Sequence, residues 1–169
     1  MKGMTWVRML IGVTWLNGAV EKILNQNFPQ QFASAVRAGG YVSQAPPWFQ
    51  SFMKSMVVPN AELFANLTRA GELVFGALLL LGLLTNLAAL WSIGFSAMLI
   101  LSQGEFGLGT GLGPPQFFSI NLVVALASLI ILLSPGAKEP SLDRLLARRR
   151  PGLAVLLLNR RNPGKQAGT

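Results

Sequence analysis

The 169-residue chain contains no cysteine and no histidine. Their absence excludes thiolate and imidazole metal ligands, disulfides, cysteine nucleophiles and histidine-based catalytic triads. The chain therefore cannot ligate a haem or an iron–sulfur cluster in the usual ways. We expect no metal site and no covalently bound cofactor here, so any redox chemistry would depend on a diffusible cofactor or on a partner subunit.

Charged residues are also scarce, at 12% of the chain, whereas 51% of the residues are hydrophobic. Soluble domains usually carry about a quarter charged residues, so this composition indicates a protein whose solvent is largely lipid. The chain length fits a single domain. We therefore predict an integral membrane protein.

Four apolar stretches are close to the roughly 20 residues that cross a bilayer core about 30 Å thick. We predict an all-α fold in which residues 1–134 form an antiparallel four-helix transmembrane bundle. The predicted spans are about 4–24, 63–84, 87–101 and 117–133. No small-x-small cleavage motif follows the first stretch, so we expect a retained helix and not a signal peptide. The short connection at Thr85-Asn86 makes the second and third spans a hairpin.

The outer loop at 25–61, between the first two spans, is too apolar for a plain linker. Apolar residues recur there at four-residue spacing after prolines. The two sets are Phe28, Phe32 and Val36, and then Trp48, Phe52 and Met56. This spacing predicts two short amphipathic helices at the membrane interface. They would cap the bundle or, alternatively, form a lid over a ligand entrance.

The other outer loop, at 104–116, contains the glycine-rich run GEFGLGTGLGPP. It is similar to a phosphate-binding loop only in its glycines, because no strand precedes it and no Lys-Ser/Thr pair follows. We expect a flexible turn there and no nucleotide site.

Basic charge is concentrated in a C-terminal tail at residues 135–169, whose net charge is +6, against +2 for the preceding 134 residues. A basic segment beside apolar spans indicates a cytoplasmic location and contact with anionic lipid headgroups, and not nucleic acid. Four spans then place both termini in the cytoplasm, and we expect a multi-pass protein of a bacterial or archaeal cell membrane.

The tail itself contains two apolar segments. In SLDRLLARRR, Ser141 can cap a short amphipathic helix with Asp143 in its first turn. After Pro151-Gly152, the run LAVLLL at 153–158 is too short to span a bilayer, so it would contact lipid or protein or, alternatively, belong to a solvated basic arm.

Polar groups interrupt the predicted spans at similar depths. With a rise of about 1.5 Å per residue, Asn17, Glu72 and Asn121 each lie roughly 18–20 Å from the cytoplasmic ends of their helices, with Ser96 slightly shallower. Arg69 and Glu21 fall nearby and could form an ion pair, while Arg8 and Lys22 lie near opposite membrane faces and could reach headgroups or turn inward.

This central polar layer has two interpretations. It could provide interhelical hydrogen bonds, each contributing about 0.6–2 kcal/mol, with glycines allowing close packing. Alternatively, it could bind an amphipathic molecule, with Glu72 as proton acceptor or hydrogen-bond partner. The candidate site residues are Arg8, Asn17, Lys22, Arg69, Glu72 and Asn121.

Two spans carry recognisable motifs. Arg8 is followed by G–x–x–W–L–x–G–x–x–x–K from Gly12 to Lys22, and the second span reads G–E–L–x–x–G–x–x–L–L–L–G–L–L–T from Gly71 to Thr85. These motifs resemble the DoxX/DoxD family of small four-helix membrane proteins, over about residues 4–134 with the tail outside. The resemblance implies four antiparallel helices with an extended outer loop between the first two.

The family includes the DoxD subunit of a thiosulfate:quinone oxidoreductase and members thought to anchor or assist redox assemblies. The resemblance therefore implies that a quinone binds near Arg8, Lys22, Arg69 and Glu72, with other subunits of a membrane redox complex as partners.

Three functions remain open from the sequence. The first is a non-catalytic membrane subunit of a larger respiratory or photosynthetic electron-transfer complex, lining a quinone site. The second is a DoxD-like subunit that passes electrons from a small reduced sulfur compound to quinone. The third, a small transporter or lipid-binding protein, ranks last because four short helices leave little room for alternating access. We expect the chain to be at most a quinone-reactive subunit and not an enzyme by itself.

Overall fold

The computed structural model describes residues 2–38, 43, 45–103, 119–134 and 141–149. These residues form helices and no strand, which confirms the predicted all-α class. The helices are α1 (Lys2–Leu24), α2 (Phe28–Arg37), α3 (Pro47–Phe52), α4 (Ala61–Leu81), α5 (Thr85–Gln103), α6 (Ile120–Leu133) and α7 (Leu142–Arg149). A π-helical turn, Met53–Val57, continues α3.

Two predicted features lie outside the described residues. They are the glycine-rich run at 104–115 and the apolar run at 153–158.

The four long helices pack around a common core. α1 packs mainly on α4 and α5 mainly on α6, while α1 also contacts α6 and α4 contacts α5. α4 and α5 form the expected antiparallel hairpin, but Thr85 and Asn86 belong to α5 and not to the turn. Gly82 ends α4 instead, with φ of 65°, because glycine adopts this left-handed conformation without a Cβ penalty.

The backbones of α1 and α4 approach each other closely at two glycines. A Cβ on Gly12 would lie 2.7 Å from the Leu80 nitrogen and 2.9 Å from the Gly76 oxygen. A Cβ on Gly76 would lie 3.0 Å from the Leu16 nitrogen. Small residues allow such backbone contact between helices, so these glycines set the separation of α1 and α4.

Aromatic rings fill the centre of the bundle. The Trp91 ring stacks on Phe75 and Phe95, with centroid distances of 4.6 and 4.9 Å, and Trp15 meets it edge-on at 5.3 Å. A Cβ on Gly71 would lie 2.7 Å from the Trp91 ring, so Gly71 leaves space for that ring on α4. α1, α4 and α5 are thereby held together by one aromatic cluster.

The segment between α1 and α4 forms the two predicted short helices, which pack with Phe64 of α4 and Leu101 of α5 as a cap on the bundle. On α2, Val36 is buried as expected. On α3 and the π-helical turn that continues it, the predicted apolar face is wrong by one residue. Trp48 and Met56 are 64% and 53% exposed, whereas the buried side chains are Phe49, Met53 and Val57. Both sets have four-residue spacing, so only packing against the bundle distinguishes them.

Among the described residues, two helices are long and apolar enough to cross a membrane, namely Ala61–Leu81 and Thr85–Ser102. Most residues of both helices are not buried, so apolar side chains face outward as in a lipid-exposed helix. α1 is interrupted by charges such as Arg8 and Lys22, and α6 is shorter, at 14 residues.

The close approach of α1 and α4 makes a packing prediction. Gly12→Ala should destabilise the protein by about 1–3 kcal/mol because the added methyl overlaps the α4 backbone. Gly94→Ala is the matched control, since nothing lies within 4 Å of a Cβ there. This control should leave the free energy of unfolding unchanged or raise it by up to about 1 kcal/mol, because alanine is a better helix former than glycine. Thermal unfolding of the purified chain in mild detergent measures both, and equal unfolding temperatures for the two variants would contradict the packing.

Candidate functional site

A buried ion pair joins α1 to α4. Lys22 Nζ donates to Glu72 Oε1 and Oε2, at 3.0 and 2.9 Å, and to the Gly18 carbonyl oxygen at 3.3 Å. Glu72 is 3% exposed, whereas the Lys22 side chain is 25% exposed. The carboxylate is therefore enclosed, while part of the Lys22 side chain remains exposed.

The local sequence explains how the pair fits. Gly18 lies one turn before Lys22 on α1, so the lysine side chain can fold back over it. A Cβ on Gly18 would lie 3.1 Å from Glu72 Oε2, which makes a side chain there crowd the carboxylate. The G–x–x–x–K spacing thus provides both the space and the cation for Glu72.

A second cation lies beside this pair. Arg69 Nη2 donates to the Asn25 carbonyl oxygen at 2.7 Å, and its guanidinium carbon is 5.3 Å from the centre of the Phe28 ring. Lys22 Nζ lies 5.8 Å from the same ring centre. Both distances are within the range of cation–π attraction, so Phe28 connects the two cations.

The ion pair predicted between Arg69 and Glu21 is wrong. Among the described residues the ion pair joins Lys22 to Glu72, and Glu21 is exposed. α1 ends at Leu24, and the carbonyl groups of a helix C-terminus lack partners within the helix. The Asn25 carbonyl follows that end directly and accepts from Arg69, so a backbone oxygen takes the place of the carboxylate.

Arg8 belongs to a separate cluster at the other end of α1, about 21 Å away along the helix axis. It is 2% exposed and therefore turns inward instead of reaching toward headgroups. Arg8 lies against Gly82, and the negative charge of Asp143 from α7 acts on it.

Asp143 was not among the predicted site residues, although it is fully buried. Its Oδ1 accepts from Leu84 N at 2.7 Å and its Oδ2 from Thr85 N at 2.8 Å, at the start of α5. One sequence signal points to it. Asp143 is the only aspartate in the chain, and it stands in an otherwise basic segment.

The two predicted asparagines differ in exposure. Asn17 is exposed on α1, and Asn121 is half-buried in the first turn of α6. Of the six candidates, the structure therefore brings Lys22, Arg69 and Glu72 together and places Arg8 about 21 Å away from Lys22 along α1.

Hydroxyl groups occupy the middle of the bundle, where the sequence predicted a layer of Asn17, Glu72, Asn121 and Ser96. Trp15 Nε1 donates to Ser92 Oγ at 2.8 Å, and Ser92 Oγ is hydrogen-bonded to Ser128 Oγ at 2.8 Å. Ser96, which was predicted for this layer, is also buried. Ser92 and Ser96 lie one turn apart on α5, a spacing that could have indicated a polar stripe.

A surface groove of about 370 Å³ lies between α2 and the start of α4. Its lining includes Pro29, Ala33, Arg37, Val58, Pro59 and Glu62. Lys22 and Glu72 do not line it, so the groove and the ion pair are separate features of the molecule.

Comparison with known proteins identifies relatives. A family model described as "TQO small subunit DoxD" matches residues 4–157. The match extends past residue 134 and through α7, so the expectation that the tail lies outside the resemblance is wrong. The uncharacterized membrane protein Rv3486 of Mycobacterium tuberculosis (strain ATCC 25618 / H37Rv) is 29% identical over 150 residues, covering 85% of this chain and 80% of that protein. No solved structure matches the chain significantly.

The buried pair predicts non-additive mutational effects. Lys22→Met should cost about 3–5 kcal/mol, because the Glu72 carboxylate then stays buried without its cation. Adding Glu72→Gln should recover part of that loss, with a coupling energy of at least about 1 kcal/mol. The free energies of unfolding of the wild type, both single variants and the double variant, measured on the purified chain in detergent, give this coupling energy. Lys54→Met, at an exposed lysine, is the control. Strictly additive losses would show that the two side chains do not interact.

Proposed function

We propose that this chain, which belongs to the DoxD family of membrane proteins, is a non-catalytic subunit of a larger electron-transfer complex and contributes to a quinone site. The family description, "TQO small subunit DoxD", favours a complex of the thiosulfate:quinone oxidoreductase type. The observation that carries the proposal is the enclosed Lys22–Glu72 pair with Arg69 and Phe28 beside it.

The proposed topology has all four long helices crossing the membrane. α7 and the N-terminal part of α1 lie at the same end of the bundle, where Asp143 is near Arg8. Arg144, Arg148 and Arg149 of α7 lie at that end, so we assign it to the cytoplasm of a bacterial or archaeal cell. Anionic lipid headgroups would be its partners there. Glu72 precedes Gly82 by ten residues, which places it about 15 Å from the cytoplasmic turn.

The residues around the pair fit a quinone headgroup. Arg69 has guanidinium N–H groups beyond its bonds to Asn25 and Asn66 that suit a quinone carbonyl oxygen, and the Phe28 ring offers a flat apolar face beside it. The bound quinone would supply the electron-accepting chemistry. The chain would orient the headgroup through Arg69, and the Glu72 carboxylate would accept a proton while Lys22 holds that carboxylate in position.

A partner subunit is needed for two reasons. The chain has no cysteine or histidine to hold a redox centre, so electrons must come from elsewhere. In addition, Asn17 is exposed on α1 between apolar residues such as Val13 and Val20, which are exposed as well. An amide facing lipid is unfavourable, and a helix from another subunit could accept its hydrogen bonds.

Purification under conditions that preserve native complexes tests the subunit assignment. The chain should co-purify with a redox-active subunit in mild detergent. If it runs alone, with no redox partner, the proposed role as a complex subunit is wrong.

Glu72→Gln tests the quinone site. The variant should lower quinone binding or quinone-linked turnover of the assembled complex, because the neutral amide cannot accept the proton. Glu62→Gln, at an exposed residue in the first turn of α4, is the control and should leave turnover unchanged. Unchanged turnover in an intact Glu72→Gln assembly would reduce Glu72 to a packing residue.

A further inference from the structure

The basic C-terminal segment begins with a helix that is fixed to the bundle. The two carboxylate oxygens of Asp143 accept the N–H of Leu84 in the turn and the N–H of Thr85 at the start of α5, and the Asp143 N–H donates to the Gly82 oxygen at 2.9 Å. Leu84 has φ of 48°, a left-handed conformation that is uncommon for residues other than glycine. Asp143 binds the N–H of this same residue. α7 is therefore held against the α4–α5 turn by three hydrogen bonds that leave little freedom of position.

These bonds also determine the depth of α7 in the membrane. The turn at 82–84 connects Ala61–Leu81 with Thr85–Ser102, the two helices that are long and apolar enough to cross a bilayer. A turn between two such helices lies where both leave the hydrocarbon core. A helix bonded to that turn must then lie at the membrane surface.

The outward side of α7 is suited to that surface. Asp143 and Ala147 are buried against the bundle, one turn apart. Leu142, Leu145 and Leu146 are 37%, 54% and 37% exposed, and Arg148 and Arg149 are exposed as well. Exposed leucines beside arginines on a surface helix are typical of segments that lie in the interface of an anionic membrane.

We propose that α7 binds the anionic bilayer surface at a fixed depth, and that Asp143 couples this binding to the stability of the bundle. The leucines enter the interface while Arg148 and Arg149 bind lipid phosphates. Asp143 acts as a positioning residue, because it holds α7 against the start of α5 and beside Arg8. This inference rests on the membrane topology proposed above but is independent of the quinone site.

The test uses the full chain reconstituted in phosphatidylcholine vesicles with and without phosphatidylglycerol. The anionic lipid should raise the unfolding temperature of the wild type and of Arg37→Gln, an exposed arginine on α2. The double variant Arg148→Gln/Arg149→Gln should lose most of this shift while unfolding normally in phosphatidylcholine. Each arginine near an anionic surface strengthens binding roughly fivefold. Removing both arginines should therefore weaken the binding of phosphatidylglycerol about thirtyfold.

A second arm tests the coupling through Asp143. Asp143→Asn should lose the lipid-dependent shift although both arginines remain, and trypsin should cleave α7 faster because the helix is released. If Asp143→Asn does not fold, the Arg148→Gln/Arg149→Gln variant alone decides the test. That variant should fold normally because both arginine side chains are exposed.

Three outcomes would overturn the proposal. The first is a lipid-dependent shift that persists in the arginine double variant. The second is a shift that persists in Asp143→Asn after α7 has become sensitive to trypsin. The third is an equal shift from inorganic phosphate added to phosphatidylcholine vesicles, which would indicate a free-anion site instead of a membrane contact. Loss of quinone-linked turnover in Glu72→Gln, or its persistence, has no bearing on these readouts.

Discussion

Two cations that face inward from α1 determine how the bundle is assembled. Arg8 and Lys22 are 14 residues apart, close to four helical turns, so both point toward the same neighbours. An isolated charge in apolar surroundings is strongly unfavourable, and each cation must therefore meet an anionic or polar group. Glu72 meets Lys22, and Asp143 lies near Arg8, so the position of α1 along α4 is set at both ends.

The residues between the two cations make this position possible. Gly12 brings α1 into backbone contact with α4, and Trp15 enters the aromatic cluster while donating to Ser92. The two ends then differ in character. At one end Lys22 remains partly accessible beside Phe28, which suits a ligand. At the other end Asp143 is fully enclosed, which suits a structural connection between the bundle and its basic segment.

Features set by local spacing could be predicted from the sequence. The helical class, the α4–α5 hairpin, α2 with its buried Val36, and the helix that follows Ser141 all depend on residues within a few turns of one another. Ser141 Oγ does accept from the Arg144 N–H, as a capping residue should. Lys22 and Glu72 were also singled out as candidates, because charges within apolar stretches are conspicuous, although the sequence did not pair them.

The choice of partners could not be predicted, since it depends on the rotation of each helix. Successive side chains differ by about 100° around a helix, so a small rotation exchanges a buried residue for an exposed one. For this reason Asn17 faces outward, Phe49 replaces Trp48 in the cap, and Arg69 meets a carbonyl group instead of Glu21. The contact between Asp143 and α5 joins residues nearly 60 positions apart, and no local pattern encodes it.

The central claim, that α1 is positioned by its inward-facing cations, is tested most directly by solid-state NMR of the chain in bilayers. With ¹⁵N on lysine Nζ and ¹³C on glutamate Cδ, one of the five glutamate carboxyl signals should show strong dipolar coupling to a lysine nitrogen, since Lys22 Nζ lies 2.9 Å from Glu72 Oε2. Lys22→Met should abolish that coupling. The absence of any coupled carboxyl signal, or coupling that survives in Lys22→Met, would contradict the account.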